Sequence, residues 1–142
     1  SAADKAITVA QTPDGGYIMA GITFSTDGDV TPSASGQGNV WIVKIAPEGA
    51  VEWQRNIGGF LEEGAEAIRP TSDGGYIVAG YTKSNDADVS GNHGFGDTDD
   101  AWIVKLSSTG AIQWQKCYGS LGFDVANDIR ETPDGGFIFC GT

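Results

Sequence analysis

Five aspartates crowd into the stretch 84–100, SNDADVSGNHGFGDTDD: Asp86, Asp88, Asp97, Asp99 and Asp100. Carboxylates at alternating positions suit Ca2+, a hard cation that collects about six to eight oxygens. The spacing departs from the EF-hand loop, which needs a Glu at a fixed distance from the first ligand. The matching stretch nearer the N-terminus keeps Asp27 and Asp29 but has Asn39 where Asp100 stands, so a calcium site required in every copy is disfavoured. Asp and Asn also populate loops because they hydrogen-bond their own backbone. A solvated acidic turn with no cofactor is therefore the stronger reading, with calcium its rival.

Nucleophilic chemistry has little to work with. His93 is the one histidine, so any Ser-His-Asp or Cys-His scheme depends on it. It lies in a Gly-rich loop with no Ser-x-Gly elbow nearby. Carboxylates are plentiful enough for a glycoside hydrolase pair, but nothing singles out two of them. No catalytic residue is assigned. Cys117 and Cys140 are too few for a disulfide framework and read as free thiols.

These loops hang on a repeat. The phrase DGGYIMAG at 14–21 returns as DGGYIVAG at 73–80 and DGGFIFCG at 134–141, its Asp recurring after 59 and then 61 residues. WIVKI at 41–45 returns as WIVKL at 102–106, and EWQR at 52–55 as QWQK at 113–116, both after 61 residues. An acidic residue with Ala two places on precedes each phrase: Asp4/Ala6, Glu63/Ala65 and Asp124/Ala126. Units of about 60 residues follow: 1–62, 63–123, and the first part of a third over 124–142.

Alternation of apolar and polar residues marks these runs as strands. Asp-Gly and Gly-Gly supply the positive φ of tight hairpin turns, and Gly75 is expected to carry it. Gly110 marks a second hairpin, between AWIVKL and AIQWQKCY. Each unit thus reads as two hairpins, or four antiparallel strands. Four strands at this period is the signature of a β-propeller blade; a sandwich of unlike sheets would not explain the period. The paired tryptophans, Trp41/Trp53 and Trp102/Trp114, fit packing between repeats better than a sugar-stacking platform, which keeps a glycan among the alternative partners.

The combined pattern DGGYIVAG…DAWIVKL…WQK resembles the tandem repeats of a group of secreted bacterial β-propeller proteins. The resemblance covers essentially the whole chain. It implies an all-β fold and an extracellular or cell-surface location, and no particular activity. Two and a third units fall short of the about four to eight blades that close a ring. The chain is therefore expected to be part of a longer propeller or to associate with copies of itself.

A net charge of −11, with eight basic residues scattered singly, speaks against a nucleic-acid partner. No apolar run is long enough for a membrane span. The function expected is that of a non-enzymatic structural or interaction module. A carbohydrate- or calcium-binding propeller and a hydrolase or lyase on the same scaffold are the alternatives.

Overall fold

The computed structural model describes residues 3–26, 30, 37–94 and 98–142. Ten strands run through them: β1 Asp4–Gln11, β2 Tyr17–Thr23, β3 Asn39–Ile45, β4 Val51–Ile57, β5 Glu63–Pro70, β6 Tyr76–Thr82, β7 Asp100–Leu106, β8 Ile112–Tyr118, β9 Ala126–Glu131 and β10 Phe137–Gly141. Among the described residues there is no helix, and so none long and apolar enough to cross a membrane. Strands β1 to β4 form one open antiparallel sheet in chain order, β5 to β8 a second, and β9 and β10 a two-stranded pair.

Each described hairpin turns in the same way. In the first hairpin of the second sheet Gly74 N donates to Thr71 O at 3.0 Å and Thr71 N to Gly75 O at 2.9 Å. Gly74 takes φ +81°. Gly15, Gly49, Gly110 and Gly135 stand in the same left-handed region at the matching places. This is a turn closed by a left-handed glycine, a backbone that side chains with a Cβ resist.

Here the structure corrects the sequence reading. Gly74, not Gly75, carries the positive φ. Gly75 is needed for space: a Cβ there would collide with the carbonyl oxygen of Leu106 and press to 2.6 Å on Lys105 Nζ. The next glycine in the phrase has a related reason. The register slips between Ala65 and Ala67, and a Cβ on the facing Gly80 would collide with Gly64 O. Gly21 and Gly141 stand in the same relation to Lys5 O and Val125 O.

The core lies between the sheets. Ile18, Ala20, Val40 and Ile42 of the first sheet pack onto Ile68, Val78, Trp102, Val104 and Leu106 of the second. On its other face Ala67, Ile77, Ala79 and Ile103 pack onto Ala126, Ile129 and Phe137 of the terminal hairpin. The second sheet is thus covered on both sides, and every residue of β7 is buried.

Candidate functional site

The recurring letters of the repeat meet at the mouth of each four-stranded sheet's central hairpin. Lys105 is in β7, its amine 2.9 Å from Asp73 and 3.0 Å from Leu106 O. Lys44 in β3 does the same, 2.9 Å from Asp14, with Glu52 at 3.3 Å. A buried ammonium is tolerated only when paired and hydrogen-bonded, and both lysines are. Burial works against the charge of Lys44, yet Asp14 and Glu52 together raise its pKa.

Each aspartate is prepared for its lysine by its own turn. Thr71 Oγ1 and Gly75 N donate to Asp73 Oδ1. The Thr71 hydroxyl, then Lys105, hold that carboxyl far below its ordinary range. Asp134 in the terminal hairpin has the same brace, from Thr132 Oγ1 and Gly136 N, and its pKa is likewise lowered, first by Thr132. Among the described residues no cation pairs with it.

Polar hooks pin strands within each sheet and tie neighbouring sheets together. Glu63 is fully buried; its carboxylate accepts from Gly59 N at 2.7 Å, Thr82 Oγ1 at 2.8 Å and Ser84 N at 3.3 Å. Burial raises its pKa despite these bonds. Asp4 takes the same partners one unit earlier, Thr23 Oγ1 and Ser25 Oγ. The Thr-x-Ser tripeptides at 23–25 and 82–84 were the signal for this contact and escaped the sequence reading. Arg55 Nη2 donates to Thr109 O, Arg69 pairs with Asp128 at 3.1 Å, and Ser72 bonds Glu131.

The acidic stretch serves several ends. Asp86 Oδ1 accepts from Phe60 N at 2.9 Å, and Asp88 Oδ2 from Gly58 N at 3.2 Å, so both brace the link between the two sheets. Asp99 lies 3.9 Å from Lys83, and burial raises its pKa. Asp100 is fully buried in β7 and accepts from the backbone N and Nδ1 of His93, at 3.0 and 2.7 Å. Asp97, Asp27 and Asp29 lie outside the described residues. Among the described residues no three His, Cys, Asp or Glu side chains gather as a metal ion would require.

The tryptophans divide. Trp102 is 1% exposed, with its Nε1 donating to Gln115 at 2.8 Å. Trp114 is 37% exposed. It forms one wall of a cavity of about 300 Å³ together with Tyr118, Phe137, Phe139, Ile103 and Ile129. Cys117 and Cys140 are both free thiols. Burial pushes the Cys117 thiol up to about 12.

The sequence matches no family model, and no curated protein matches it.

Proposed function

We propose that this chain is a non-enzymatic structural and interaction module built of β-propeller blades, which works through the faces and edges of its sheets. One observation carries the reading. The same face-on-face contact is made twice in succession by corresponding residues. Ile18 and Ala20 are buried against the second sheet, and Ile77 and Ala79 against the terminal hairpin. A contact repeated at a fixed offset generates a ring or a filament, because its two sides differ. An extracellular or cell-surface location belongs to the same reading and rests on the resemblance of the repeats alone.

The test is to lengthen the chain with tandem copies of residues 63–123. Ring closure covers the last open face with the first. The melting temperature should therefore jump at one copy number within the about four to eight units that close a propeller. A rise that merely levels off as units are added would overturn the blade reading. Binding to glycan arrays, or hydrolysis of any polysaccharide by the lengthened chain, would replace the non-enzymatic part of it.

A further inference from the structure

The two junctions between successive sheets differ in chemistry at the same four places. Where the second sheet meets the terminal hairpin, Arg69 Nη2 lies 3.1 Å from Asp128 Oδ1. Ser72 donates to Glu131 there from its backbone N at 2.8 Å and its Oγ at 2.7 Å. One unit earlier, Ala10 and Pro13 stand in the places of Arg69 and Ser72, and Ala67 and Pro70 in those of Asp128 and Glu131. Both sides of the polar junction are thus exchanged together for side chains that carry no charge and no hydrogen-bonding group. We propose that these places form an order code: a face with Arg69 and Ser72 fits a neighbouring repeat that has acids at the places of Asp128 and Glu131, and a face with Ala10 and Pro13 fits one that has Ala and Pro there. The inference rests on the proposed function in one respect, that successive units work through the faces they present to each other.

Physics requires the exchange to be made on both sides at once. Arg69 and Asp128 are each only about one third exposed, at 32% and 36%, so each has given up part of its hydration to reach the other. Removing one partner strands the second, whereas replacing both by apolar groups is close to neutral. Proline makes the other pair equally strict. Ser72 offers Glu131 an N–H; Pro13 has none to offer, and Pro70 opposite has no carboxylate to accept one. The turn reads Thr-Pro-Asp-Gly at 12–15 and 132–135 and Thr-Ser-Asp-Gly at 71–74, and it is the serine turn that faces Glu131. A mixed junction leaves a guanidinium and an N–H, or two carboxylates, without partners across the interface. Unpaired charge of this kind is a general means of rejecting the wrong neighbour.

The apolar part of the contact does not discriminate. Ile68 and Ile129 stand at the same place in their units, next to the code positions, and each is buried in its junction. Burial of this shared residue holds either pair of sheets together, while the polar positions around it select which pair forms, the usual division between apolar core and charged rim. Arg130 lies 2.6 Å from Asp128, but it belongs to the same strand, β9, and so cannot replace Arg69 across the junction.

The test is a cycle of variants of the 142-residue chain, read by amide hydrogen exchange. One variant changes the hairpin side, Asp128→Ala with Glu131→Pro; one changes the sheet side, Arg69→Ala with Ser72→Pro; the third carries all four. Every new residue is one that the repeat already holds at that place, so the backbone accepts it. In both one-sided variants the amides of β9 and β10 should exchange about fivefold faster, as loss of one partner of a half-exposed polar pair would give, while those of β6 and β7 stay as they were. The four-residue variant should return to within about twofold of the unaltered chain. Arg69→Ala and Asp128→Ala, singly and together, repeat the cycle without proline, and the two together should exchange more slowly than either alone. One-sided variants that exchange like the unaltered chain, or matched variants that exchange as fast as the one-sided ones, overturn the code. Identical tandem copies of 63–123 carry the mixed set, Arg69 and Ser72 beside Ala67 and Pro70, at every added junction; this weakens each added junction alike and leaves the closure jump in place. Restoration without that jump breaks the blade reading alone; the jump without restoration breaks this inference alone.

Discussion

Hairpins β5–β6 and β9–β10 are written in almost the same letters and end in different states. Ile77 and Ile138 occupy the same place in the phrase; the first is fully buried and the second 62% exposed. Asp73 holds a lysine, and Asp134 is braced identically without one. The turns match to the hydrogen bond. Local sequence therefore sets the turn and the strand, while burial comes from the sheet that lies alongside and the ion pair from a later strand of the same sheet. This is the general behaviour of stacked repeats, in which interfaces supply stability that single units lack.

The comparison breaks most readily at the tryptophans. Trp102→Ala should cost about 3–5 kcal/mol, the range for truncating a fully buried aromatic. Trp114→Ala, on the open side, should cost about 1 kcal/mol or less. Equal losses in urea denaturation would mean that the exposed cavity contributes as much as the filled interface. Glycine gives the next largest contrast. Gly75→Ala forces a Cβ into the Leu106 carbonyl and should cost about 1–3 kcal/mol, as overpacking does. Gly136→Ala should stay within about 0.5 kcal/mol.

Acid should separate the two regions further. The folded-state pKa of Asp73 is depressed, so its contribution is present above the ordinary carboxylate range and is lost as pH falls through the folded value. Asp73→Asn should therefore flatten the loss of stability below about pH 4. Asp134→Asn should flatten it less, since Asp134 has no lysine to release. Glu63 works in the opposite sense: burial raises its pKa, so it favours the fold at low pH and opposes it as pH rises past the ordinary range. A melting-temperature series from pH 2 to 7 on the three chains would show whether the order holds. The smallest effect is chemical. A thiol reagent at pH 8 should modify Cys140 and leave Cys117 untouched, because one is exposed and the other is half-buried with its thiol held protonated. Two thiols reacting at equal rates would contradict the packing of Cys117 against the core between the first two sheets.

Strands and turns were legible in the sequence because alternation and Asp-Gly are local signals. The four-stranded order of the sheets followed from them. What was not legible depends on contacts across the fold. Gly74 and Gly75 are adjacent and identical, and only the closed hairpin shows that one is required for its φ and the other for its missing Cβ. Lys105 reads as the polar member of an alternating strand, yet it is 4% exposed, paired with Asp73 and hydrogen-bonded to Leu106 O. In the acidic stretch, composition allowed a shared ligand set but favoured a solvated turn. The structure sends Asp86 and Asp88 to the link between sheets and Asp100 to His93, a division that spacing alone does not encode.

The separation into three hydrogen-bonded sheets sets an order of fraying. Among the described residues no ladder runs from one sheet to the next, so the terminal hairpin can detach without breaking a strand pairing in its neighbour. Its amide protons should exchange with solvent first. Those of β6 and β7, flanked by strands and covered on both faces, should exchange only when the whole body opens. A protein laid out in this way melts from its uncovered side inward, and the residues that protect it longest belong to the sheet in the middle.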